Sequence, residues 1–74
     1  MRLNNAKSFG NAVRTYRKRQ GVTQAQIAAV ANTGIRFISN LENGKPTIQL
    51  DKALKVAWLL GIRPEVPGVR GHKK

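Results

Sequence analysis

The 74-residue chain is predicted to be all-α, a bundle of four short helices, and three observations carry that prediction. Apolar residues recur at helical spacing in four separate segments. Each segment is followed by Gly or Asn, at Gly21, Asn32, Gly44 and Gly61, and Pro46, Pro64 and Pro67 all fall outside the segments. A chain of this length makes one domain and buries only a little over half of its unfolded surface, so two copies are expected to associate for stability.

The first helix is expected from Ser8 to Gln20, where Phe9, Ala12, Val13 and Tyr16 share one side and Arg14, Arg17, Lys18 and Arg19 lie mostly on the other. Gly21 suits the position just past its end, and the basic last turn complements the negative end of the helix dipole. Thr23 reads as an N-cap, with Gln26 three residues on completing a capping box. The second helix then runs from Gln24 to Ala31. Asn32-Thr33-Gly34 is a turn, and a third helix from Ile35 to Asn43 is stopped by Gly44 and Pro46. A fourth helix, Leu50 to Leu60, carries Leu50, Ala53, Leu54, Ala57 and Leu60 on one stripe and is closed by Gly61. The helical domain is thus placed at residues 1–61. Residues 62–74 are a basic tail with Pro64, Pro67, Gly68 and Gly71, which either pairs as a short strand over Ile62 to Val66 or stays unfolded.

Charge narrows the partners. Fourteen Lys and Arg against three acidic residues give a formal net charge of +11. A polyanion is the expected partner, with nucleic acid ahead of an anionic membrane surface, because each neutralised phosphate releases condensed counterions. The basic residues do not oppose a large continuous apolar face, as a membrane-surface helix requires. The longest apolar stretch, Ala57 to Ile62, is far too short to span a bilayer, and Met1 to Phe9 lacks the apolar run of a signal peptide. The chain is therefore expected to be soluble and cytoplasmic. It contains no cysteine, which fits a reducing compartment and excludes disulfides and thiolate metal sites.

The informative stretch is Gln24 to Asn43, reading QAQIAAVANTGIRFISNLEN, two short helices around a turn of about three residues. Ala28 supplies the small residue needed where the helices cross. Asn32 falls where the chain reverses, and Asn tolerates the left-handed backbone better than any residue except Gly. Ile27, either Val30 or Ala31, Ile38 and Leu41 close the wedge from inside.

These residues resemble a known family. TQAQIA followed by ISNLENGKPT is similar to the Cro/repressor (XRE-type) helix-turn-helix family of lambdoid phage repressors and many bacterial regulators, over about Val13 to Gly61. The longer stretch RFISNLENGKPTIQLDKAL, followed by a short basic tail, is most similar to antitoxins of the HipB type. The resemblance implies a lambda-repressor-like fold and a homodimer that binds a palindromic double-stranded operator as a repressor. It also implies a HipA-type kinase toxin as a second partner. Alternative readings are a stand-alone regulator without a toxin and a toxin-neutralising adaptor that uses DNA as an anchor.

Carried over by residue, the resemblance makes Ile35, Arg36, Ser39 and Asn40 the base-reading face of the third helix. Arg36 suits guanine and Asn40 adenine. Gln24 is expected at a DNA phosphate, with Asn43 and Lys45 in the loop near the backbone; Arg14 and Lys18 join them on the charge argument. Arg17 and Glu42 match a pair that forms an internal salt bridge in phage repressors. Gly34 stands where a capping Ser or Thr is usual, which weakens the start of the third helix, and Ile35 is apolar where a polar reader is common.

Trp58 falls off the main stripe of the fourth helix and is assigned, with Ile62 and Val66, to a dimer or partner interface. Phe37 is assigned to the core or an interface edge. His72 stands alone in the tail, so no metal site is expected, and no cofactor is implied. No acid-base pair, Gly-rich phosphate loop or positioned nucleophile supports an enzyme, since Ser39 has no partner in any motif and Glu42 is assigned to Arg17.

Overall fold

The computed structural model describes residues 5–46 and 49–63. Within them lie four helices, α1 (Ala6–Arg19), α2 (Gln24–Val30), α3 (Ile35–Glu42) and α4 (Leu50–Leu60), and no strand. The order and positions match the expected bundle. The first helix starts earlier than Ser8, because Asn5 caps it and its side chain accepts from the Ser8 amide at 2.8 Å. Thr23 and Gln26 form the expected capping box on α2, whereas Gly34 leaves α3 without a side-chain cap.

All four helices close in the same way. After each, a residue with positive φ turns the chain: Gly21 (69°), Asn32 (58°), Gly44 (81°) and Gly61 (90°). The following residue then bonds back five positions, Val22 to Arg17, Thr33 to Ala28, Lys45 to Asn40 and Ile62 to Ala57, at 2.9 to 3.1 Å. This is the Schellman closure, which satisfies the last carbonyls of a helix and folds the next side chain back against it. Glycine occupies three of the four positions because a Cβ strains that backbone, and asparagine takes the fourth at modest cost.

The core is built from α1, α3 and α4, with α2 packed on α3. Val13, Ile38, Val56 and Ile62 are its largest fully buried side chains, joined by Ile27, Ala28, Ala31, Leu41, Ala53, Ala57 and Leu60. Phe9, Tyr16, Val22 and Phe37 close its edges. Ala31, not Val30, fills the wedge between α2 and α3; Val30 is exposed. α1 and α3 touch at Gly10, where hydrogen takes the place a side chain would need against the Leu41 and Glu42 carbonyls.

Two expectations are corrected. Leu50 and Leu54 do not belong to the core stripe of α4: they are 63% and 53% exposed, and the inward stripe is Ala53, Val56, Ala57 and Leu60. Ile62 is not an interface residue. It is 1% exposed, because the Gly61 turn returns it to the core, so the packed unit extends past residue 61. Val66, the rest of the proposed strand and His72 lie outside the described residues.

Candidate nucleic-acid interface

The α2-turn-α3 unit is held at its base by one buried ion pair. Arg17 on α1 donates from Nε to Glu42 Oε2 at 2.6 Å and from Nη2 to Oε1 at 3.0 Å, a two-pronged contact between planar groups. Its Nη1 donates to the Val22 carbonyl at 2.9 Å, and Gln24 Nε2 donates to Glu42 Oε1 at 3.1 Å. The end of α1, the start of α2 and the end of α3 therefore converge on a single carboxylate. Burial alone would raise the Glu42 carboxyl, but hydrogen bonds from Arg17 and Gln24, with the charges of Arg17 and Arg14, outweigh it and hold the group below the usual carboxylate range. The same hydrogen bond raises Arg17 further above its ordinary value, against the opposing effect of burial. Among the described residues no buried side-chain nitrogen or oxygen lacks a partner.

This frame leaves a polar and basic surface facing outward. On α3, Ile35 and Arg36 are exposed while Ser39 and Asn40, one turn further on, are half-buried. The four share a face because three- and four-residue steps return to the same side of a helix. Phe37 and Ile38 turn the opposite way, Ile38 into the core and Phe37 to its edge. Arg14 and Lys18, one turn apart on α1, are exposed, as are Asn43 and Lys45 in the loop after α3. No acidic side chain lies in the first turn of α1, α2 or α3. Glu42, the one carboxylate near this surface, is buried and neutralised. A rigid helix with a polar outer face inside a field of cations is suited to a groove in a polyanion.

Among the residues expected at DNA, Gln24 departs in detail. Its amide nitrogen is engaged by Glu42 as well as lying at the expected edge. Trp58 is exposed, at 62%, and lines up with Leu50 and Leu54 at four-residue steps along α4. Sequence reasoning missed Arg63, whose guanidinium lies 3.6 Å from the centroid of the Trp58 ring. Its Nη1 also donates to the Trp58 and Ile62 carbonyls. The signal available was a cation two residues beyond the closing glycine. Val30 and Leu59 line an open groove between α2 and the end of α4. Among the described residues there is no group of three or more potential metal ligands, and no helix is long and apolar enough to cross a membrane.

Residues 13–66 match the model of a family described as helix-turn-helix, and the chain belongs to that family, whose XRE-type members the motif resembles. It is a DNA-binding transcriptional regulator of the helix-turn-helix class. It is 42% identical over 71 residues, 93% of either chain, to y4mF of Sinorhizobium fredii, an uncharacterized HTH-type transcriptional regulator. A shorter stretch of 36 residues is 60% identical to the competence pilus inhibition repressor of Acinetobacter baylyi, covering 49% of this chain and 33% of that protein. The fold is similar to the restriction-modification controller protein C.AhdI of Aeromonas hydrophila, with a TM-score of 0.68 and 27% identity over 80% of this chain and 86% of that one.

Proposed function

We propose that the protein is a sequence-specific repressor that binds a palindromic DNA site as a homodimer, placing two copies of α3 in successive major grooves about one helical turn apart. The observation that carries this reading is the outward face of α3: Ile35, Arg36, Ser39 and Asn40 project from a helix whose opposite side is locked in the core. Arg36 pairs with guanine, Asn40 with adenine, and Ile35 meets a thymine methyl. Arg14, Lys18, Gln24, Asn43 and Lys45 hold phosphates and set the register without reading sequence. Repression follows from occupancy of a promoter, and the competence repressor to which the chain is partly identical supports that role.

The two copies meet through α4. Leu50, Leu54 and Trp58 form an exposed apolar line on the helix that bears Asp51, the one exposed carboxylate among the described residues. Bringing that line of one copy against that of another removes apolar surface from water. The same line favours a second reading, in which the chain is a HipB-type antitoxin that represses its own operon and uses a protein surface to bind a kinase toxin. A stand-alone regulator is distinguished from it by the absence of a co-purifying kinase encoded beside it.

The test is selection of bound sequences from a random DNA pool at near-physiological salt, with stoichiometry read by light scattering. A palindromic site carrying two chains is the expected result. Binding without sequence enrichment that vanishes as salt rises would overturn the repressor reading.

A further inference from the structure

The amide of Gln24 has two ends, and the buried ion pair determines which one faces inward. Its Nε2 donates to Glu42 Oε1 at 3.1 Å, the same oxygen that accepts from Arg17 Nη2. A carboxylate can only accept, so the carbonyl end of the amide in that place would meet a like partial charge; Glu42 therefore selects one of the two amide orientations. The amide nitrogen carries two hydrogens, and this contact uses one. A phosphate oxygen is likewise an acceptor only, so within that side chain only the remaining N–H can serve it.

We propose that Glu42 is a positioning residue for DNA binding: it fixes the Gln24 amide so that an N–H, rather than a carbonyl oxygen, is available to a backbone phosphate. The proposal rests on the reading of Gln24 as a phosphate contact given above. Electrostatics permit it. The Glu42 carboxylate would by itself repel a phosphate, but Arg17 neutralises it through two hydrogen bonds and Arg14 adds an exposed positive charge nearby. The structural ion pair and the grip on the DNA backbone are in this way one connected chain of hydrogen bonds, and a change in the buried part is felt at the phosphate.

A double-mutant cycle on the full chain tests this, with a mixed-sequence duplex at low salt as the probe and fluorescence anisotropy as the readout. The variants are Gln24→Ala, the joint replacement Arg17→Met with Glu42→Leu, and the triple combination. Removing both charges at once avoids stranding one of them in the core. Gln24→Ala is expected to weaken binding roughly tenfold, as for one hydrogen bond to a charged group. The joint replacement should lose a similar factor, and the triple variant no more than either. Losses that multiply would overturn the positioning role while leaving the phosphate contact in place. An unchanged affinity in Gln24→Ala would remove the phosphate contact, and the proposal with it. If the joint replacement does not fold, the side-chain amide of Gln24 is followed by NMR in the unmodified chain. One of its two protons should exchange slowly and stay put as DNA is added while the other shifts; two protons that exchange and shift alike overturn the proposal.

Discussion

Gly10 faces the carbonyl oxygen of Leu41 so closely that a methyl group on its Cα would lie well inside van der Waals contact, with the Glu42 carbonyl pressing from beside it. The obstacle is backbone on both sides, so no side chain can rotate away. Gly10→Ala must push α1 off α3 and is expected to cost on the order of 3 kcal/mol, the upper end of overpacking effects, lowering the melting temperature by roughly 12 °C or more. Thermal unfolding by circular dichroism checks it. An unchanged melting temperature would mean that α1 and α3 are not in this contact.

Removing one member of the Arg17–Glu42 pair should be far worse than removing both. Arg17→Met alone leaves a buried carboxylate held only by Gln24, at an expected cost of about 3 kcal/mol. The joint Arg17→Met, Glu42→Leu replacement should stay within about 1 kcal/mol of the natural chain, because burying two charges is itself costly. Urea denaturation of the three proteins gives the comparison, and equal losses in the single and joint variants would contradict it.

Acid should unfold the protein through Glu42. Its carboxyl is held below the usual range in the fold, so the associated stability is fully present above the unfolded value of about 4.3, falls as the pH drops through that value, and is gone below the depressed folded one. Stability is thus expected to be level between about pH 5 and 7 and to decline below. Glu42→Gln should flatten that decline, and the chain's three acidic residues leave few other sources for it. A decline of the same size in the variant would assign it elsewhere.

At the turn, Asn32 has a φ of 58°. Asn32→Ala should lose about 1 kcal/mol, whereas Asn32→Gly should be neutral or slightly stabilising, because the cost of that backbone lies in the Cβ. Chemical denaturation separates the two, and an alanine variant as stable as the glycine one would show that the turn has rearranged.

On the DNA side, Arg36→Ala is expected to relax base preference at one position of each half-site. Lys18→Ala should weaken all sequences alike and reduce the salt slope by about one phosphate contact. Identical losses across a selected pool would remove the division between a reading face and a backbone-gripping face.

Much of this architecture is legible in the sequence because short helices with strong stop signals leave little freedom. Thr23 with Gln26, Asn32, and Gly21, Gly44 and Gly61 each declare a local geometry that the fold adopts. α4 is less legible. Leu50, Leu54, Val56, Trp58, Leu59 and Leu60 make it apolar nearly all round, so periodicity permits more than one inward stripe. The close approach to α1 selects the stripe containing the small residues Ala53 and Ala57, which no pattern in α4 alone reveals. Ile62 is hard to place from sequence for a different reason. Pro64 and the proline and glycines beyond it point to a chain leaving the domain, yet an apolar residue directly after a closing glycine is itself the sign of a side chain folded back on its helix. The base-reading face was reachable only through resemblance, since helical spacing shows which side chains project together and not what they meet.

Trp58 is the only tryptophan in the chain, it stands in water on one helix, and a guanidinium lies across its ring. Its emission consequently samples that one patch of surface and nothing else in the molecule. Whatever settles on α4, a second copy or a larger protein, must dry the indole or displace Arg63. The protein carries its own spectroscopic reporter of occupancy on α4, so a complex formed there can be followed without a label.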